Sequence, residues 1–237
     1  MSRAQKSIID ELDRALSAAP ADTFIRRSDT SLVLIGSVAR SRQLKYSDID
    51  VLLLSARLVS KTPHLRNFEF HVFTPDKFVS LGLAGDDFPN WCARFGVPVW
   101  GKVAWSGVLN KLQVAPWPDW HRKIETARKR LVSAELFARS RDYEAAREEL
   151  LFGYDHLSRG LLLQAKYFPY SRPELPEQMR NIDRSIGAGL RELELRRVTV
   201  PKLKRLISAL KSHIRNIAPD QAEIADARVK ELMSPLI

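Results

Sequence analysis

Residues 36–54 read GSVARSRQLKYSDIDVLLL, and the elements expected on either side follow from this stretch. The apolar run at residues 32–35 leads into it and stops at Gly36, as a buried strand would. A second apolar run, at residues 49–54, ends it and is predicted to be a central strand of a sheet. A strand, a sharp turn, a polar excursion and a second strand are therefore expected in that order.

The predicted first half contains four more elements. Residues 3–18 carry an apolar stripe at helical spacing, and residues 68–73 alternate like a strand with two different faces. Thr74 is a suitable cap for a helix that is expected to run towards Phe95. A last short edge strand is predicted at residues 96–101. This pattern is typical of a small α/β domain with a mixed sheet.

The pattern changes near residues 116–119, which read PWPD, because only long helical periodicities and no strand candidate follow. Three prolines within residues 169–176 predict a fixed loop there. We therefore predict a mixed-sheet α/β domain at residues 1–115 and an all-α helical bundle domain at residues 116–237. The expected helices of the second domain cover residues 119–139, 142–167, 176–196, 201–217 and 220–234.

The composition describes an ordinary folded chain with a basic excess. It has 38 Lys and Arg against 28 Asp and Glu, a formal charge of +10 at pH 7. Such an excess suits a polyanionic partner, nucleic acid included. Acids and bases are interleaved along the predicted helices, however, and a solvated mixed surface explains most of it. The charge permits nucleic-acid binding and does not establish it.

Cys92 is the only cysteine, which excludes an intramolecular disulfide and a Cys-rich zinc site. We expect it to be a small packed hydrophobe. No window approaches the roughly 18 apolar residues of a membrane span, and the N-terminal segment lacks the apolar core of a signal peptide. A cytoplasmic protein without a membrane partner is expected, and its oligomeric state is left open.

The pair Gly36 and Ser37 has the chemistry of an anion site. Glycine permits a sharp turn and a close approach of an anion to the backbone. A helix that begins at Ser37 would add free N–H groups and the positive end of its dipole, and the hydroxyl adds a donor. The turn is therefore a candidate triphosphate cradle, although Gly-Ser turns alone are common.

Asp48 and Asp50 are the candidate metal ligands. Two residues apart on a strand, their side chains point to the same face, where two carboxylates repel each other. Shared divalent cations remove that repulsion, and Mg²⁺ prefers a few carboxylates together with phosphate oxygens. A lone Asp-x-Asp is more often a strand-entry turn and a surface residue. The combination with the preceding strand and the Gly-Ser turn favours the metal site.

The combination resembles the DNA polymerase β-like nucleotidyltransferase superfamily, especially its minimal nucleotidyltransferase branch. The pattern of that family is GSxARG, a short spacer and SDIDL, and this chain has GSVARS at residues 36–41 and SDIDV at residues 47–51. The resemblance implies an Mg²⁺-dependent enzyme, with two ions expected. It would move a nucleoside monophosphate from a nucleoside triphosphate, ATP first, to an acceptor hydroxyl and release pyrophosphate.

The same resemblance assigns roles to residues. It places Gly36 and Ser37 on the triphosphate and Asp48 and Asp50 on the metals. Among the flanking residues, Arg40 and Ser47 are included with the nucleotide-binding set, although for Arg40 an ion pair with a neighbouring acid is an equal alternative.

Two departures from the family pattern stand out. Ser41 occupies the position where glycine is usual, and a left-handed serine costs about 1–2 kcal/mol. The family also has a third carboxylate on a neighbouring strand, which acts as metal ligand and general base. Glu69 and His71 are the candidates here. Glu69 supplies the expected oxygen, while His71 fits the spacing of some members but is a poor Mg²⁺ ligand.

The helical half is expected to shape the acceptor site or a partner interface. Residues 143–176 resemble helical domains appended to enzymes of this kind, including those that modify aminoglycosides, and also the HEPN class. A HEPN ribonuclease is not expected, because Arg147 and His156, like Arg205 and His213, are too far apart. The acceptor is a small molecule, a protein or RNA. The alternative is a regulatory nucleotide-binding module whose helical domain binds a protein partner, as in a toxin–antitoxin pair.

Overall fold

The structure is a computed structural model, and it describes residues 3–17, 30–42, 48–56, 67–195 and 198–217. The chain divides into two compact units, Met1–Asp119 and Trp120–Ile237. The domain boundary predicted between residues 115 and 116 is close to this division. That each unit is a domain with its own role stays a prediction.

A mixed four-stranded sheet forms the centre of the first unit, as predicted. Its strands are β1 (Thr30–Leu34), β2 (Ile49–Ser55), β3 (Phe68–Phe73) and β4 (Val97–Trp100). Their order in the sheet is β3-β2-β1-β4, with β1 antiparallel to both β2 and β4, and β2 parallel to β3. The two inner strands, β1 and β2, are the apolar runs that flank the GSVARS motif, and nearly all of their residues are buried.

The described helices of this unit are α1 (Arg3–Ser17), α2 (Gly36–Ala39), α3 (Pro75–Leu83), α4 (Asp87–Phe95) and α5 (Lys102–Leu112). Thr74 caps α3 as predicted, because its side chain accepts a hydrogen bond from the Lys77 N–H at 3.3 Å. The single helix predicted as far as Phe95 is wrong. Gly85 takes a left-handed conformation, φ 80°, which ends α3, and Asp86 then caps a separate α4.

Helix α5 has no counterpart among the predicted elements. Its buried positions are Trp105, Val108 and Leu112, which follow one another at spacings of three and four. That spacing is typical of an amphipathic helix, so the sequence did contain a signal for it. Its N-cap is Gly101, in a left-handed conformation with φ 66°.

Both faces of the sheet are packed. On one face, Leu12 and Leu16 of α1 pack into a cluster with Leu32, Leu34 and other inner-strand residues. Phe68, Phe70 and Val72 of β3 also pack against that cluster, which confirms the predicted alternation of the strand. On the other face, Phe73 belongs to an aromatic cluster: its ring centroid lies 5.7 Å from that of Phe78 and 5.9 Å from that of Phe88.

The second unit is helical, as predicted, and the described residues 120–195 and 198–217 contain no strand. Its helices are α6 (Trp120–Arg139), α7 (Tyr143–Gln164), α8 (Leu175–Gln178), α9 (Arg184–Glu194) and α10 (Val200–Ile217). The helix predicted at residues 176–196 is divided, since a 3-10 turn at Met179–Asn181 and the Asp183 cap separate α8 from α9. The helix predicted at residues 220–234 lies outside the described residues.

The predicted loop at residues 169–176 contains a 3-10 turn at Arg172–Glu174 and is held by a buried carboxylate. Asp155 of α7, 4% exposed, accepts hydrogen bonds from Arg159 Nε at 2.8 Å and Arg172 Nε at 3.2 Å. Burial raises the pKa of the Asp155 carboxyl, but the two guanidiniums outweigh it and lower that pKa to about 2. Arg172 therefore attaches the loop to α7.

Among the described residues, no helix is both long enough and apolar enough to span a membrane.

Candidate metal and nucleotide site

The Gly36 turn is shaped by the carboxylate of Asp50. Gly36 has φ 65°, and a Cβ placed on it would lie 2.8 Å from Asp50 Cγ and closer still to Oδ2. The Ile35 N–H donates to the Asp50 carbonyl at 3.0 Å, which ties the turn to β2. Any side chain at position 36 would therefore collide with the carboxylate. The glycine is needed here because the turn and the acid must lie in contact.

Gln5 of α1 is hydrogen-bonded to the end of the short helix α2. Its side-chain Nε2 donates to the carbonyls of Val38, at 3.1 Å, and Ala39, at 2.8 Å. Gln5 is buried at 4% exposure on the same stripe of α1 as Leu12 and Leu16. The sequence reasoning missed this residue, although a polar side chain within an apolar stripe is the signal that could have found it.

The turn continues through Ser41, which adopts the left-handed conformation at φ 55°. The Ser41 N–H donates to the Val38 carbonyl at 2.9 Å, and the Arg42 N–H donates to the Ser37 carbonyl at 2.8 Å. This serine therefore makes the conformation for which the family pattern has glycine, at a cost of about 1–2 kcal/mol. The guanidinium of Arg40 lies 4.6 Å from the centre of the Phe95 ring, in a cation–π contact.

Three ligand-bearing side chains meet beside this turn. Asp50 and Glu69 are register partners on the parallel strands β2 and β3, and His71 follows two residues later on the same face of β3. One ligand atom from each of the three lies within 4.8 Å of those of the others. His71 Nε2 is 3.7 Å from Asp50 Oδ1 and 3.9 Å from Glu69 Oε1. We call Asp50, Glu69 and His71 the metal-site triad.

Asp48 does not belong to the triad. It is exposed and lies just before β2, and among the described residues only the triad brings three such ligands together. Ser47 lies outside the described residues. The sequence indicated Asp50, Glu69 and His71 as candidates, and the structure brings the three together. Which of Glu69 and His71 completes the metal site stays a prediction. The assignments of Asp48 and Ser47 stay predictions.

His71 is held in place by its surroundings. Its ring centroid lies 5.4 Å from that of Phe88 in α4, and its side chain is 31% exposed. The interaction with the Asp50 carboxylate raises the pKa of His71; burial opposes this, and the charge of Glu69 adds to it. The Asp50 and Glu69 side chains are 30% and 62% exposed, so the carboxylate of Glu69 is the most accessible group of the triad.

Comparison with protein families finds a match over the part of the chain that contains this site. Residues 21–83 match the family described as the nucleotidyltransferase domain, a span that contains the whole GSVARS–SDIDV motif, all three triad residues and all of α3. The resemblance to the polymerase β-like nucleotidyltransferases is thereby confirmed for this part of the chain. The match supports nucleotidyl transfer as the general activity and a nucleoside triphosphate as substrate.

Among solved structures, the chain is similar to a nucleotidyltransferase-like protein from Exiguobacterium sibiricum 255-15. The two chains share 14% sequence identity, with a TM-score of 0.43 over 90% of this chain and 74% of the other. No curated protein matches the chain significantly.

Proposed function

We propose that the protein is a metal-dependent nucleotidyltransferase that moves a nucleoside monophosphate from a nucleoside triphosphate to an acceptor hydroxyl. One observation carries this proposal: Asp50, a member of the metal-site triad, lies against the Gly36 turn, inside the segment that matches the nucleotidyltransferase family. A turn suited to phosphates and a cluster of metal ligands are the two parts that phosphoryl chemistry requires.

The donor set suits a divalent cation. Asp50 and Glu69 supply carboxylate oxygens, and Asp48 is the expected further ligand. Mg²⁺, in two ions, is the cofactor that the family resemblance implies. A divalent ion bound here would neutralise the phosphate charge and favour ionisation of the acceptor hydroxyl.

Residues of the chain are expected to bind the triphosphate and to accept the proton of the acceptor hydroxyl. Backbone N–H groups at Gly36 and Ser37, together with the Ser37 hydroxyl, bind phosphate oxygens of the triphosphate, ATP in the first instance. The acceptor oxygen forms a bond to the α-phosphorus while the bond to the pyrophosphate oxygen breaks. Glu69 takes the acceptor proton, since its carboxylate is the most accessible of the triad.

The acceptor is a hydroxyl of a small molecule, a protein or RNA. The net charge of +10 is compatible with RNA, and with the mixed surface of a protein that binds none. Incubation with ATP labelled at the α-phosphorus and with separate pools of total RNA, soluble protein and aminoglycosides identifies the class. Label that becomes covalently attached to one pool marks the acceptor.

Three variants test the assignment. Asp50→Asn and Glu69→Gln are expected to lower label transfer by about 100-fold or more, because each removes a charged oxygen from the reacting centre. Asp76→Asn is the matched control, since Asp76 is a 94% exposed carboxylate of the same unit that lies on α3. Equal transfer by all three variants would overturn the proposal. Tight nucleotide binding without transfer to any pool would favour the regulatory nucleotide-binding alternative.

A further inference from the structure

The spacing of the metal-site triad fits a common ion better than direct contact. His71 Nε2 lies 3.7 Å from Asp50 Oδ1 and 3.9 Å from Glu69 Oε1. Both separations exceed the roughly 2.7–3.2 Å of an N–H···O hydrogen bond. Two ligands bound to one ion at about 2.1 Å are at most about 4.2 Å apart, and both pairs fall within that limit. His71 Nε2 is therefore close enough to each carboxylate oxygen to share an ion with it, and the ligand atoms of all three groups lie within 4.8 Å of one another.

The identity of the third donor matters for the choice of ion. An imidazole nitrogen is a poor ligand for Mg²⁺, which takes oxygen almost exclusively. The divalent ions of the first transition row accept imidazole as well as carboxylate ligands, and Mn²⁺ is the ion of that row that shares with Mg²⁺ a preference for carboxylate oxygens. A site of two carboxylates and one histidine is therefore expected to favour a first-row transition ion over Mg²⁺.

The imidazole is also preorganised for this role. β3 places His71 on the same face as Glu69, and the Phe88 ring, 5.4 Å away between centroids, packs against it from α4. The contact with Phe88 restricts the ring while Nε2 stays directed at the two carboxylates. A histidine that served only to cover the sheet edge would not need its nitrogen at this point.

We propose that His71 is a direct metal ligand and that the site therefore prefers a divalent first-row transition ion, Mn²⁺ being the form to test, over Mg²⁺. This inference rests on the proposed function for the location of the metal at this site. It replaces the expectation of a purely carboxylate Mg²⁺ site with a mixed nitrogen and oxygen site. The protein should therefore catalyse nucleotidyl transfer faster with Mn²⁺ than with Mg²⁺.

Pulsed electron paramagnetic resonance of the full-length protein with Mn²⁺, without nucleotide, tests the ligand directly. Nitrogen bound to Mn²⁺ produces a characteristic modulation, and protein labelled with ¹⁵N-histidine should show the ¹⁵N pattern in place of the ¹⁴N pattern. His71→Gln should abolish it. His213→Gln is the matched control, because His213 lies in the second unit and pairs with Asp183 there. The control should leave the modulation intact.

Titration gives a second readout that does not require activity. His71→Gln is expected to weaken Mn²⁺ binding on the order of tenfold or more, while Mg²⁺ binding changes by no more than about twofold. Wild-type protein that binds Mn²⁺ without any histidine modulation would overturn the inference, whatever the fate of the variant. Such a result together with Asp50-dependent transfer would leave the proposed function standing. Histidine modulation without transfer would uphold the ligand and reject the function.

Discussion

Gly36→Ala is the substitution whose effect the structure specifies most closely. Two costs arise from different sources. An alanine at φ 65° is strained by about 1–2 kcal/mol, and its methyl group also collides with the Asp50 carboxylate. Forcing an extra carbon into a filled space typically costs about 1–3 kcal/mol. We therefore expect Gly36→Ala to destabilise the first unit by about 2–5 kcal/mol.

A double-mutant cycle separates the two costs. In an Asp50→Ala background the carboxylate is absent, so only the backbone strain of about 1–2 kcal/mol should remain for Gly36→Ala. The two positions should thus be coupled by about 1–3 kcal/mol. Gly107→Ala is the matched control. A Cβ at Gly107 would meet nothing within 4 Å inside helix α5, and alanine there should stabilise by about 0.5–1 kcal/mol.

Urea unfolding followed by tryptophan fluorescence is the assay, since four of the five tryptophans precede Trp120 and report on the first unit. An equal penalty for Gly36→Ala in both backgrounds would refute the contact between the turn and the acid. A stabilising effect of Gly36→Ala would refute the left-handed turn as well.

Other substitutions test the buried polar contacts that stabilise each unit. Gln5→Ala, which removes two hydrogen bonds to α2, should destabilise the first unit by about 1–2 kcal/mol in the same urea assay, whereas Glu11→Gln at an exposed position of α1 should change little. Asp155→Asn should destabilise the helical unit by about 3 kcal/mol, measured by circular dichroism in urea, because two guanidiniums lose their buried carboxylate. The pKa of Asp155 is lowered from 3.8 to about 2 in the folded protein, so its contribution is complete above pH 3.8 and is lost as the pH falls through 2. Wild-type protein should lose about 2 kcal/mol over that window relative to Asp155→Asn, and parallel acid titrations of the two proteins would contradict this.

The sheet was predictable because each strand carries its own local signal. The two apolar runs around the GSVARS motif identify the inner strands, and the alternation of residues 68–73 identifies a strand with one apolar face. The break between α3 and α4 was not predicted, because a glycine inside a helical pattern is compatible with continuation. Only the observed φ of 80° at Gly85 shows that the first helix ends there.

Local sequence patterns indicated the parts of the candidate site, whereas only the family resemblance implied that Glu69 or His71 would lie on a strand beside that of Asp50. The spacing of the motif identified Asp50, and strand alternation placed Glu69 and His71 on one face. Their approach to Asp50 depends on the parallel pairing of β2 with β3 in one register, which no local pattern of either strand reports. Gln5 carried a local signal, as a polar residue in the apolar stripe of α1, but that signal does not identify its partner, the Val38 carbonyl 33 residues away.

We propose that the carboxylates of the candidate site, Asp48 and Asp50 among them, support nucleotidyl transfer. Pyrophosphate release from nucleoside triphosphate is the most direct test. It is measured with Mn²⁺ or Mg²⁺ in the presence of the RNA, protein or aminoglycoside pool as acceptor, and compared between wild type and the Asp48→Ala/Asp50→Ala variant. We expect metal-dependent release by the wild type that disappears on chelation and falls by about 100-fold or more in the variant. Equal release by the two proteins would contradict the account.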